Sequence, residues 1–364
     1  MAELDIAIVG AGIAGASLAA ECAGAARVLL LEAEHAPGYH TTGRSAAFWE
    51  ECYGGPDIVP LTLASGPYLR EHGFLNPRGA LYIGRERDRG LLDAFMDKFG
   101  STGATIERIG RADMLDKVPG LRGEWCDAVW EPLCSDIDVA GLHQHYLARA
   151  QRAGARLECR AQIVSAVRTG NRWELASADG RRWTAGTLVN AAGAWADELA
   201  QVAGARPLGI QPLRRTICQL VTDPPPPAGQ PLVLDIAGSF YFKPETGRVW
   251  LSPHDEEPSP PCDAAAEELA VAQAIDRFEK VVDWRVLKVE RKWAGLRSFA
   301  PDRLPVYGYD MRREGLFWFA GQGGYGIQTA PAAAKLAACL LLDLPCDDFT
   351  PALDPAMYSP ARFG

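Results

Sequence analysis

Apolar positions in this chain gather into short runs that stop at glycine, separated by longer stretches with helical spacing. LDIAIVG (residues 4–10) is such a run, rich in branched side chains, and predicts a buried strand. The small-residue stretch IAGASLAAECAGA follows it as a helix, and RVLLLEA (residues 27–33) is the next buried strand. Strand, helix and strand in that order imply a parallel pair joined by a right-handed crossover. Buried strands running into glycine return in TLVNAAG (residues 187–193) and GLFWFAG (residues 315–321), the second of them ahead of the apolar helical stretch APAAAKLAACLLL.

Between these pieces the pattern changes. Helices are predicted over residues 61–71, 91–99, 139–153 and 263–282, and ALYIG (residues 80–84) reads as a strand. Residues 155–195 read as strands separated by the turns TGN and ADG, and the PPPP run at residues 224–227 as a stiff surface segment. The expectation is an α/β protein. One Rossmann-like nucleotide-binding domain is assembled from distant segments, and a more irregular, β-rich domain is inserted into it.

Composition narrows the class. A chain of 364 residues with 48% hydrophobic content can fill two cores. Its net charge of −9 and the lack of a dense Lys/Arg run argue against a nucleic-acid-binding surface. The apolar run near the end is interrupted by Lys335 and is too short to span a bilayer, so no transmembrane segment is expected. The N-terminus enters an apolar strand at once, which does not read as a secretory signal. Nine cysteines are spread singly from Cys22 to Cys346 without a CxxC pair, so neither a disulfide framework nor a metal site is expected. These readings point to the cytoplasm.

Two glycine-dense loops carry the candidate chemistry. GAGIAG places Gly10, Gly12 and Gly15 at G-x-G-x-x-G spacing between a strand and a helix, with Glu32 ending the next strand where a carboxylate can take a ribose hydroxyl. That fingerprint alone leaves NAD and FAD both open. The segment APGYHTTGRSAAFW then brings Thr41, Thr42, Arg44 and Ser45 into a predicted helix start, a site suited to phosphate or a flavin edge. The second loop, GQGGYGIQT, follows the strand at residues 315–321 and opens the last helix. A nicotinamide domain with one glycine loop has no use for it. Its N–H groups and helix dipole make it a second candidate site for negative charge.

Together GAGIAGASLA, GYHTTGRSAA, VNAAGAWAD, WAGLRSFAPDRLPVYG and GQGGYGIQT resemble the D-amino-acid oxidase superfamily of FAD-dependent oxidoreductases, and look most like bacterial D-arginine dehydrogenases within it. The resemblance runs over nearly the whole chain. It implies an FAD-binding domain of residues 1–54, 137–204 and 303–364, with an inserted α+β substrate domain of residues 55–136 and 205–302 built on a mixed sheet. It also implies that Gly10, Gly12, Ile13, Ala14 and Gly15 line the pyrophosphate, and that Glu32 and Ala33 meet the adenosine. Thr41, Thr42, Gly43, Arg44, Ser45, Ala46 and Ala47 would pass towards the flavin. Ile163 would touch adenine through its backbone, while Ala192, Gly193 and Trp195 close over the cofactor. Gly321, Gly323, Gly324, Tyr325, Gly326, Ile327 and Gln328 form the loop on the flavin side. Tyr53, Arg215, Tyr241, Arg297, Gly324 and Gln328 match residues around an amino-acid substrate.

The residue types fit that assignment. A guanidinium presents two parallel donors to a carboxylate, and Arg297, in an otherwise apolar strand, needs a partner of that kind. Asp302 is its alternative, structural partner. Arg215 stands beside Arg214, and one arginine of such a pair usually faces solvent. The implied reaction is hydride transfer from the substrate Cα to FAD, giving an imino acid that water hydrolyses to a 2-oxo acid and ammonia. No conventional catalytic base is evident.

The chain departs from D-arginine dehydrogenases at Ala80, where they carry a guanidinium-binding glutamate, and at Phe48, where they carry a histidine. An apolar or aromatic D-amino acid is therefore the expected substrate. Glu50 and Glu51 are candidates to replace the lost charge, although solvated residues of a helix surface are the preferred reading. FAD is expected to be non-covalent, since SFAPDRLPVYG lacks the cysteine that tethers it in sarcosine oxidases. Sarcosine or glycine oxidation, 2-hydroxy-acid dehydrogenation without a well-placed histidine base, and a non-catalytic flavin-binding subunit remain alternatives. A quinone or dye-like electron acceptor, with oxygen as the other choice, goes with a cytoplasmic location or one peripheral to the inner membrane.

Overall fold

The computed structural model describes residues 4–345 and 353–364; Cys346 and part of the predicted 303–364 segment lie outside the described residues. Leu4–Val9 lies inside an eight-stranded sheet, with Val28–Leu31 parallel to it on one side and the end of Arg182–Asn190 parallel on the other. Leu316–Ala320 pairs in parallel with residues 188–190. These strands are predominantly apolar because both faces of the sheet are covered. Ile13–Cys22, Val139–Arg152 and Ala330–Leu342 pack on one face, and Ala196–Val202 on the other.

That arrangement positions the site. Gly10, Glu32, Ala191 and Gly321 each follow the carboxyl end of one of these parallel strands. The crevice outside the carboxyl ends is where open α/β sheets bind ligands.

A ten-stranded mixed sheet stands beside the first. Its spine is the antiparallel pair Gln211–Asp223 and Arg285–Phe299, while Ala80–Arg85 pairs in parallel with Leu232–Asp235. Gln322–Gly323 pairs with Ser298 and Phe299, which stitches the second glycine loop to this sheet. Phe48–Trp49, Leu75–Pro77 and Ser135–Ile137 form a small third sheet. No helix among the described residues is long and apolar enough to cross a membrane.

Three local expectations are corrected. GRSAAFW does not enter a helix: after a single 3-10 turn at Thr42–Arg44 the chain is drawn out straight. Thr41 Oγ1 donates to the Leu296 carbonyl and Trp293 Nε1 to the Arg44 carbonyl, so the long strand at residues 285–299 claims the polar groups that a helix would have used. The helix predicted over residues 263–282 is shortened to Glu268–Glu279, because Asp263 and the Ala264 carbonyl hold Arg44 instead. The last helix begins at Ala330, which leaves Gln328 in the turn before it.

Candidate active site

The first glycine loop is shaped by backbone contacts. Gly10 sits at φ +103°, and a Cβ there would meet the Ala191 carbonyl oxygen at 2.3 Å; one on Gly15 would meet the Gly10 carbonyl oxygen at 1.9 Å. The helix that starts here has no cap from Gly12. Thr42 Oγ1 accepts from the Ile13 N–H at 3.0 Å, and the N–H groups of Ala14 and Gly15 have no protein acceptor among the described residues. Free donors on an uncapped helix start suit a pyrophosphate. Glu32 faces the same crevice while accepting from the N–H groups of Ala11 and Glu34, at 2.9 and 3.0 Å. It therefore holds the loop as well.

One cavity runs from this loop to the second. Its wall includes Gly10, Gly12, Ile13, Ala14, Glu32, Thr41, Thr42, Arg44, Ser45, Ala46 and Ala47. It continues past Ala192, Gly193 and Trp195 to Gly323, Gly324, Gly326, Ile327 and Gln328. The N–H groups of Gly326, Ile327 and Gln328 have no protein acceptor among the described residues, which leaves a second set of donors at the far end. The two loops thus fit the two ends of one long dinucleotide.

Six predicted cofactor residues lie off this wall. Gly15 backs the loop, Gly43 donates to the Gly38 carbonyl, and Gly321 turns the chain at φ +72°. Ala33 is exposed, and Ile163 begins the outer strand Ile163–Thr169. Tyr325 is buried, with its hydroxyl on the Arg303 carbonyl. Arg44 lines the cavity, and its guanidinium is engaged by Asp263 and two carbonyls.

All six predicted substrate residues meet at the flavin-side end. Leu213 pairs with Arg297 and Arg215 with Gly295, so the two arginines are diagonal neighbours on one face of the ten-stranded sheet. Each is 7% exposed. Asp302, the alternative partner, is taken by Arg362 instead. Arg214 turns away to Glu267, leaving Arg215 as the inward member of its pair. Arg215 Cζ lies 5.7 Å from the centre of the Tyr241 ring, and the Tyr53 hydroxyl is beside the Arg297 guanidinium. A Cβ on Gly324 would stand 2.0 Å from that hydroxyl and displace Tyr53.

The loop between residues 252 and 257 completes the cluster. Arg215 Nε donates to the Asp255 carbonyl at 2.9 Å, while Glu256 Oε1 accepts from Arg297 and Arg303 at 3.0 Å. Three guanidinium groups (Arg215, Arg297 and Arg303) face two carboxylates (Asp255 and Glu256), leaving one positive charge unmatched. Arg215 Nη2 and Arg297 Nε also have no hydrogen-bond partner among the described residues. Burial and the neighbouring Arg297 charge both depress the Arg215 pKa. A monoanion with two acceptor oxygens answers these deficits together.

Gln328 is placed differently from its expected role at the substrate amine. Its Oε1 accepts from the Glu50 N–H, and its Nε2 donates to the Glu50 carbonyl and to Thr62 Oγ1. It positions the chain around Glu50. Sequence reasoning also missed four groups. Glu50 and Glu51 are each 2% exposed, not solvated. Glu51 accepts from the Thr105 N–H, and Glu131 Oε1 accepts from the Glu51 N–H at 2.5 Å. Burial, with the Glu131 charge beside it, raises the carboxyl pKa of Glu50, and burial with the Glu51 charge raises that of Glu131. His254 lines the cavity with Nδ1 on the Gly238 carbonyl, and burial together with Arg215 and Arg297 pushes it down to about 3. No local sequence signal marks these four groups, because each acquires its surroundings through tertiary contacts.

A raised carboxyl pKa means stability that is present below the ordinary carboxylate range and lost as pH climbs towards the folded value. Glu131→Gln keeps an acceptor for Glu51 and removes the ionisation. It is expected to gain about 1–3 kcal/mol relative to the unsubstituted protein at pH 9 and nothing at about pH 3, read by calorimetry at both values.

Two glycine loops at the carboxyl ends of parallel strands, sharing one cavity with a buried arginine pair, fit a flavin-dependent oxidoreductase of the amine and amino-acid type. Residues 5–340 match the family model described as DAO, FAD dependent oxidoreductase, and the chain belongs to that family. It is 24% identical over 424 aligned positions to FAD-dependent oxidoreductase domain-containing protein 1 of Bos taurus, covering 99% of this chain and 85% of that protein. Its fold is similar to glycine oxidase from Geobacillus kaustophilus (23% identity, 99% and 98% of the two chains, TM-score 0.85). It is equally similar to L-proline dehydrogenase from P. horikoshii (22% identity, 99% and 98%, TM-score 0.85). The protein is therefore FAD-dependent.

Proposed function

We propose that this protein oxidatively deaminates D-amino acids with apolar or aromatic side chains, giving 2-oxo acids and ammonia. The observation that carries the reading is the buried pair Arg215 and Arg297, with unmatched donors and one unmatched positive charge at the flavin-side end of the cavity. FAD, when bound, supplies the hydride acceptor for the substrate Cα–H. Arg297 and Arg215 would grip the substrate carboxylate, Tyr53 and Tyr241 would wall it, and Gly324 would let it approach the backbone. The substrate then leaves as an imino acid that water hydrolyses.

The preference for apolar side chains rests on the rest of the wall. Phe48, Tyr82, Phe95, Phe99, Leu232 and Leu234 extend the cavity beyond the clamp, and Ala80 is buried off it. Glycine or sarcosine would leave that arm unfilled. The D configuration and the kinship with D-arginine dehydrogenases rest on the motif resemblance. His254 lines the site, but a ring whose conjugate acid is that acidic is a poor base for an alcohol, which disfavours a 2-hydroxy acid. Non-covalent FAD is supported by the absence of cysteine from residues 298–309. The predicted domain limits belong to the same proposal, because the eight-stranded sheet draws its strands from residues 4–31, 156–190 and 306–320. A quinone or dye-like acceptor, with oxygen as the alternative, and a cytoplasmic or membrane-peripheral location complete it.

With an artificial dye as acceptor, kcat/KM for D-leucine, D-methionine and D-phenylalanine is expected to exceed that for D-arginine by at least ~10-fold, the scale set by a mismatched side-chain pocket. A higher value for D-arginine would contradict the apolar reading.

A further inference from the structure

The cavity wall holds an acidic group for which the reaction above has no role. Glu50 lines the cavity while nearly fully buried, and its Oε1 has no hydrogen-bond partner among the described residues. A buried carboxyl group without a partner costs free energy, and such groups collect at functional sites. The fold holds it in place through the paired bonds to Gln328, both at 3.2 Å. The turn that follows delivers Tyr53, whose N–H donates to the Glu50 carbonyl and whose hydroxyl lies beside Arg297. A single turn of chain thus brings a carboxyl group and part of the carboxylate clamp to one cavity.

The titratable groups around Glu50 are all acidic or thiol. Glu131 faces it from the strand Trp125–Glu131, Glu51 and Cys52 flank it on its own turn, and Cys134 follows that strand. Glu131 Oε2 also lacks a partner among the described residues. Among these neighbours there is no cation to hold Glu50 as a carboxylate, so the carboxylate form favours gaining a proton. Lys98, the amine on the cavity wall, is exposed at its outer part.

An α-amino acid arrives mainly as its ammonium form. Its nitrogen lone pair must be free before a C=N bond can form at Cα. We propose that Glu50, as a carboxylate, takes that proton from the substrate ammonium, directly or through one water molecule. The N–H bond breaks, an O–H bond forms on Glu50, and ammonium plus carboxylate become neutral amine plus carboxylic acid. This step needs no oxidant. The assignment rests on the amino-acid reading of the site, and it supplies the base that the sequence did not reveal.

The test follows flavin reduction under anaerobic conditions across pH for the unsubstituted protein, Glu50→Gln and Glu50→Asp. Glu50→Gln is expected to reduce the apparent second-order rate constant by ~10²–10⁴-fold at pH 7. The loss should shrink as pH approaches the substrate ammonium's own value, and Glu50→Asp should restore part of the rate. No loss, or the same loss at every pH, would overturn the proposal. Should Glu50→Gln not load FAD, Glu131→Gln decides: removing the neighbouring negative charge is expected to move the rising limb of the profile to lower pH, and an unmoved limb counts against Glu50. As a readout apart from turnover, 2-aminoisobutyrate binds without a Cα hydrogen to lose. Its binding should produce the infrared C=O band of a protonated carboxyl group that Glu50→Gln lacks, and a band retained in that variant would also count against it. If glycine or sarcosine reduces the flavin and D-amino acids do not, the D-amino-acid reading fails, while the same comparison on that amine still decides Glu50. Reduction by 2-hydroxy acids alone overturns both.

Discussion

Arg297→Met is expected to lower kcat/KM for the amino-acid substrate by about 30- to 4,000-fold while the protein keeps its FAD. The guanidinium is buried on a strand whose neighbours are apolar, so its donors meet a carboxylate with little competition from water. Truncating one member of a buried charge pair costs roughly 2–5 kcal/mol, and each 1.4 kcal/mol is a factor of about ten. Methionine preserves much of the volume and removes the repulsion with Arg215. Glu256 keeps Arg303 as a partner, so no carboxylate is stranded. FAD binding should survive, because the donors at the first glycine loop lie at the other end of the cavity. Steady-state kinetics beside the flavin absorbance of the purified variant check both halves. A substrate held elsewhere would leave kcat/KM unchanged.

Gly15→Ala is expected to abolish or weaken FAD binding by roughly 10²-fold or more, the counterpart of about 3 kcal/mol. Its Cβ would lie 1.9 Å from the Gly10 carbonyl oxygen. Backbone cannot swing aside as a long side chain can, so helix Ile13–Cys22 must lift from the strand before it. That movement displaces the N–H groups of Ala14 and Gly15 that suit the pyrophosphate. Gly24→Ala is the control, since nothing lies within 4 Å of its added carbon. Flavin retained on gel filtration, and its dissociation constant by fluorescence, separate the two.

Much of this was legible in the chain because it is locally encoded. A strand buried on both faces, a glycine turn and a helix of small residues occupy contiguous residues, so Leu4–Val9, Gly10 and Ile13–Cys22 could be read directly. Arg297 and Tyr53 stood out as polar residues matched to known motifs. What escaped was tertiary. Thr41 and Arg44 read as a helix start, yet their partners are Leu296 and Asp263, more than two hundred residues away. Glu50 and Glu51 read as solvated charges, and only packing against Glu131 and Gln328 shows them buried. His254, Asp255 and Glu256 sit in a charged, proline-adjacent stretch that looks like surface. The fold lays it against the arginine pair. Gln328 carried another lesson: a motif match gives a position, while the side chain here serves the neighbouring chain at Glu50.

Anaerobic mixing of the oxidised, FAD-loaded protein with single amino acids tests the account most directly, with no partner protein present and flavin absorbance as the signal. D-leucine, D-methionine and D-phenylalanine are expected to bleach the flavin in a stoichiometric reaction, and their L-enantiomers are not. A flavin left oxidised by every D-amino acid, or bleached by L-amino acids or 2-hydroxy acids instead, would contradict it.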